Sequence, residues 1–104
     1  MAGSAPGVER SVREQSRSEV RRPAMYKVLL HNDHYTTMEF VVMILEDVFH
    51  KNSSEAVQIM LHVHKLGYGV CGVYPFEIAE TKVAAVHREA EKEGFPLQCS
   101  MEPE

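Results

Sequence analysis

The feature that most constrains this 104-residue chain is a break in composition at residue 24. Residues 1–24 carry five arginines (Arg10, Arg13, Arg17, Arg21, Arg22), three glutamates (Glu9, Glu14, Glu19), four serines, two prolines and two glycines. Apart from Met1, their apolar side chains are no larger than valine. Such a segment cannot bury enough surface to offset the entropy lost on ordering it, so 1–24 reads as a flexible extension. Whatever folds must be built from residues 25–104, a single domain with a modest core. A ligand pocket in so small a unit has to lie between elements.

Charge divides at the same place. The chain carries −4 in all, with +2 on the extension and −6 on residues 25–104. An acidic domain is a poor binder of phosphate backbones, so no nucleic-acid partner is expected. The start lacks the basic and apolar regions of a secretory signal. Pro6 also breaks the myristoylation pattern. No apolar run approaches the roughly 18 residues of a membrane span. These features point to a cytoplasmic chain with no membrane partner, and a monomer is expected.

The remaining sequence alternates strand and helix signals. Residues 25–31 (MYKVLLH) are rich in strand formers, and Asn32-Asp33 marks a turn. Thr36-Thr37-Met38-Glu39 fits a capping box. It should open a helix running to about His50, with Phe40, Val41, Ile44, Leu45 and Val48 on its apolar face. Ser53 is a fit N-cap for a second helix over 54–65, stopped by Gly67. Residues 68–74 (YGVCGVY) read as a second strand. Pro75 starts a third helix to about Lys92, ended by Gly94. Phe95, Leu97, Cys99 and Met101 alternate with polar or proline positions as a last strand. The expected fold is a small two-layer α+β domain in the order β-α-α-β-α-β: a three-stranded antiparallel sheet with three helices on one face. Cys71 and Cys99 form no metal or redox motif and read as packed free thiols.

Six histidines raise the question of a metal or catalytic site. His62 and His64 are two apart and point about 200° apart on a helix, so they cannot share a metal. No protease, phosphate-loop or dinucleotide motif is present, and no metal or cofactor is expected. His64 is unusual, because it ends a stripe at Val57, Met60 and Leu61 with spacing i, i+3, i+4, i+7. It fits either a core-edge histidine bonded to backbone or a functional group meeting Asn32-Asp33-His34. That turn in its own right is either a plain chain reversal or a functional loop.

Three blocks then become familiar: MYKVLLHNDHYTTMEFVV (25–42), MLHVH (60–64) and CGVYPFEIAETKVA (71–84), with PLQCSMEPE (96–104) at the end. Together they resemble the ClpS family, adaptors that carry proteins with destabilising N-terminal residues to the ClpAP protease. The resemblance covers nearly all of 25–104, and the family's β-α-α-β-α-β fold agrees with the pattern above. It implies that Asn32, Asp33 and His64 hold the substrate's α-amino group. It also implies that Thr36, Met38, Met60, Val63 and Leu97 line or border a pocket for a first residue of Leu, Phe, Tyr or Trp, with Met38 placed to reject β-branched residues. His34 belongs to the same loop. The resemblance further implies that Glu77, Thr81 and Lys82 lie on the face that contacts the N-terminal domain of a ClpA-type unfoldase, and that the extension serves delivery.

The chemistry suits this reading. An ammonium offers three donors, which an Asn carbonyl, a carboxylate and an unprotonated imidazole nitrogen can accept. The sequence departs from the family where His34 replaces a second acidic residue and Thr37 replaces a proline. The first weakens attraction for an amine, and the second loosens the backbone before the helix. Two other classes compete. One is an interaction domain of the ribosomal-stalk type, whose Gly- and Lys-rich surface is missing here. The other is a small acid–base or metal enzyme using the histidines.

Overall fold

A computed structural model describes residues 23–104; nearly all of the expected extension lies outside the described residues. The element order is β1 (Met25–His31), α1 (Met38–Asp47), α2 (Ser53–Leu66), β2 (Tyr68–Pro75), α3 (Phe76–Glu93) and β3 (Gln98–Pro103). The three-stranded antiparallel sheet has the order β2-β1-β3, so the first strand is the central one. This is the expected α+β architecture.

β1 is the most buried strand. Val28 and Leu30 join the core cluster with Ile44, Leu45, Val86, Cys71 and Cys99. Alternation turns Lys27, Leu29 and His31 to the other face. There the His31 Nε2 and Ser100 Oγ share a 2.7 Å hydrogen bond, and Lys27 lies 3.8 Å from Glu102. The β1–β2 register shifts between Val28 and Leu29, leaving Cys71 as the extra residue of a bulge. Both thiols are free and buried, as their patterning predicts. Burial pushes the Cys99 thiol up to about 12 and the Cys71 thiol up as well.

Helix ends depart from the sequence reading in three places. The cap of α1 is Thr37, whose hydroxyl accepts from the Phe40 amide at 3.1 Å. Thr36 is turned away to Asp33, so the expected Thr36–Glu39 box does not form. α1 also stops at Asp47 instead of His50, because Phe49 must bury its ring (4% exposed) and His50 turns the chain in a left-handed conformation, φ 57°. α2 is capped by Asn52, one residue before the expected Ser53. Its side chain accepts from the Glu55 amide at 2.8 Å while the Asn52 amide donates to the Glu55 carboxylate at 3.2 Å. Ser53 instead donates its hydroxyl to Glu46 at 2.9 Å. Gly67 and Gly94 end α2 and α3 in left-handed conformations, as expected.

β3 begins at Gln98, later than the alternation from Phe95 suggests. Phe95 belongs to the connection, where its ring stacks edge-on against Phe40 at 5.0 Å. The Cys99 amide donates to His87 Nε2 at 3.0 Å, tying β3 to α3. No helix among the described residues is long and apolar enough to cross a membrane.

Candidate functional site: the cavity at the turn after β1

The turn after β1 is fastened at both ends. The Asn32 amide donates to the Gly67 carbonyl at 2.8 Å, joining the end of β1 to the end of α2. This joint brings two segments 35 residues apart in sequence to one place. Within the turn, Asp33 Oδ1 accepts from the amides of Tyr35 (2.8 Å) and Thr36 (2.7 Å), and Oδ2 accepts from the Thr36 hydroxyl (2.7 Å). Partial burial pushes the Asp33 carboxyl up. The hydrogen bonds from Thr36 and Tyr35 and the nearby His34 outweigh it and hold the group below its ordinary value. Asp33 is therefore first a clamp on its own loop. Of about four lone-pair positions on an ionised carboxylate, three are used and one remains for a donor arriving from outside.

Around this turn lies a cavity of about 490 Å3, lined by Asn32, Asp33, His34, Thr36, Met38, Val41, Met60, Val63 and His64. Its volume falls within the range of small-molecule and side-chain pockets. Eight of the nine residues named from the sequence therefore gather at one cavity. The ninth, Leu97, is buried (3% exposed) and lines a separate groove with His87, Phe95 and Pro96. Sequence reasoning missed Val41. It stands three residues after Met38, so the helical period that puts Met38 at the cavity puts Val41 there too.

The α2 stripe also needs correction. The buried residues are Ala56, Met60 and Val63, whereas Val57, Leu61 and His64 are exposed. The buried face is thus rotated from the one read in the sequence, toward Val63. His64 is not a buried core residue: it stands at the rim of the cavity, with Met60 and Val63 forming the floor beside it. β2 can approach α2 closely because position 69 is glycine. A Cβ there would come within 2.8 Å of Val63 Cγ2.

A second groove, of about 460 Å3, is lined by Asp47, Val48, Glu77, Ile78, Thr81, Lys82 and Ala85. It holds the three α3 residues singled out from the sequence, but two of their polar groups are engaged internally. The Thr81 hydroxyl donates to the Glu77 carbonyl at 3.0 Å. The Lys82 ammonium donates to the Val48 carbonyl at 2.7 Å and sits 5.3 Å from the Tyr74 ring centroid. Lys82 thus places a cation at the C-terminal end of α1. Phe76 and Ile78 are half-exposed beside this groove, and the Phe76 ring packs edge-on against Tyr26 at 5.3 Å. Among the described residues no three His, Cys, Asp or Glu side chains gather as a metal site would.

Comparison with known proteins bears on this arrangement. A family model described as "ATP-dependent Clp protease adaptor protein ClpS" matches residues 21–100. The ClpS adapter of Nitratidesulfovibrio vulgaris (strain DP4) is 57% identical over 98 residues, covering 94% of this chain and 92% of the relative. That of Myxococcus xanthus (strain DK1622) is 56% identical over 88 residues, covering 85% and 82%. Among solved structures, Agrobacterium tumefaciens ClpS2 bound to L-phenylalaninamide superposes with a TM-score of 0.77 at 40% identity, over 80% of this chain and all of that one. Fold and sequence agree, and the chain belongs to the ClpS family of ATP-dependent Clp protease adaptors.

Proposed function

We propose that this chain is a non-enzymatic, monomeric cytoplasmic adaptor. It holds a protein by a free N-terminal Leu, Phe, Tyr or Trp and delivers it to the N-terminal domain of a ClpA-type unfoldase. The observation that carries this reading is the meeting of acceptors and apolar floor at one cavity: Asn32, Asp33 and His64 beside Met38, Val41, Met60 and Val63. The relative bound to L-phenylalaninamide adds support, because that ligand joins a free amine to an aromatic side chain.

In this reading the amine donates to the Asn32 side-chain carbonyl, to the free position on Asp33 and to an unprotonated nitrogen of His64. The first side chain lies against the two methionines, whose flexible thioethers adapt to Leu or to rings. Burying one large side chain contributes about 1.5–3 kcal/mol, and each charged hydrogen bond roughly 1.5–3. After association costs, dissociation constants between high nanomolar and tens of micromolar follow. Thr36 acts through Asp33, and Met38 stands where a β-branched side chain would collide.

The Glu77–Thr81–Lys82 groove is the proposed docking face. Exposed Phe76 and Ile78 supply apolar area beside it. Fluorescence anisotropy tests the recognition step: a labelled peptide beginning with Leu or Phe binds, and its N-acetylated form does not. Equal binding of the two would overturn it. For delivery, deleting residues 1–24 leaves peptide binding intact and slows degradation by the assembled protease.

A further inference from the structure

His34 lines the cavity beside Asn32 and His64, its side chain is exposed, and the amine does not need it. Three acceptors already match the three donors of an ammonium. If the amine is held there and the first side chain fills the floor, the chain must leave through the mouth. The second residue then begins only about 3.8 Å from the first, Cα to Cα. The rim that holds the amine therefore also faces the second side chain.

The charge at this rim differs from that of the domain as a whole. The titratable and charged side chains on the elements that bound it are Asp33, His34 and Tyr35 on the loop, Glu39, Glu46 and Asp47 on α1, and Glu55, His62, His64 and Lys65 on α2, of which Asp33, His34 and His64 line the cavity. Asp33 is largely committed to the amides and hydroxyl of its own loop. His31 is paired with Ser100 on the opposite face of the sheet. The group most available to a second residue on the loop side is an imidazole, within a domain that otherwise carries −6.

We infer that His34 determines specificity at the second substrate position, favouring Asp or Glu there over Lys or Arg. A carboxylate brought beside an imidazole favours its charged form. The acidic peptide therefore binds with net proton uptake from solvent, a fraction of a proton per complex, onto the free ring nitrogen, and the pair shifts toward imidazolium and carboxylate. A basic second residue draws no such proton. This rests on the amine-holding reading above.

The test uses the full chain and labelled peptides beginning Leu-Asp, Leu-Ala and Leu-Lys, each free and N-acetylated, at pH 7 and low salt. Leu-Asp is expected to bind about three- to fivefold more tightly than Leu-Lys, the size of a solvent-exposed ion pair, and salt should shrink the ratio. Calorimetry in buffers of different ionisation enthalpy should show extra proton uptake for Leu-Asp. His64 responds to the amine common to both peptides, so its share cancels in the difference. His34→Gln should bring the ratio to about one and abolish the extra uptake, and His34→Asp should reverse the order. Free peptides that bind while acetylated ones do not, with equal affinity for Asp and Lys, would overturn the role of His34 alone. An Asp preference unchanged in His34→Gln would do the same. Failure of every free peptide to bind would remove both readings.

Discussion

At the scale of single residues, the loop carries two kinds of work in adjacent positions. Asp33 spends its carboxylate on holding the turn, while Asn32 uses its backbone on Gly67 and keeps its side chain at the cavity. Because the folded carboxyl sits below its unfolded value, its contribution to stability is fully present above about pH 4, the ordinary range of an aspartate. That contribution is lost as pH falls through the folded value. Carbon-detected NMR titration should therefore find Asp33 titrating below the ordinary aspartate value, with the Tyr35 and Thr36 amide shifts following it. His64 is exposed, so His64→Ala should leave the thermal midpoint almost unmoved while weakening Leu-peptide binding more than tenfold. An unchanged dissociation constant would remove His64 from the site.

At the scale of elements, helix ends decide where the cavity walls stand. Gly67 has open space around its missing side chain but φ +95°. Gly67→Ala should then cost about 1–2 kcal/mol by conformation alone, measurable by urea denaturation. Because Gly67 also receives the Asn32 amide, peptide affinity should fall with it. Asn52→Ala, which removes the cap of α2, should cost about 1 kcal/mol and leave binding within twofold. Much of this was legible in the sequence: all six elements, their order, the two glycine stops and eight of the nine residues placed at the cavity. Propensity and period report the elements and stops and single out the Asn32-Asp33-His34 turn and His64; the other cavity residues came from the resemblance to the ClpS family. The exceptions have physical causes. A threonine and an asparagine won capping roles from neighbours of nearly equal preference. Phe49 left the helix because burial of its ring outweighed helix propensity. The α2 stripe was read one step from its true face because Leu61 and Val57 are apolar yet exposed. Leu97 was assigned by resemblance; it precedes Gln98, the partner of His31, and so stands near the end of β1, but it is buried and lines the neighbouring groove.

At the scale of the whole molecule, β1 runs between the two surfaces. Asn32 follows its last residue at the cavity, and Tyr26 near its start touches Phe76 beside the α3 groove. A strand of this length spans roughly 20 Å, so under the proposed function substrate and unfoldase would occupy the adaptor together without meeting. Substituting Ile78 by Asp should accordingly weaken the unfoldase complex severalfold and leave peptide affinity unchanged, as separate anisotropy titrations would report.

The central position of β1 also has a consequence for synthesis. Tyr26 pairs with Pro103, so one side of β1 has no partner until β3 has left the ribosome. Until then Val28, Leu29 and Leu30 border an open edge, a template for wrong pairing. Nascent chains arrested before Gln98 should be cut rapidly by protease, and chains that include β3 should resist. For this small adaptor, birth is the hazardous interval, and it closes only when β3 arrives to shield β1.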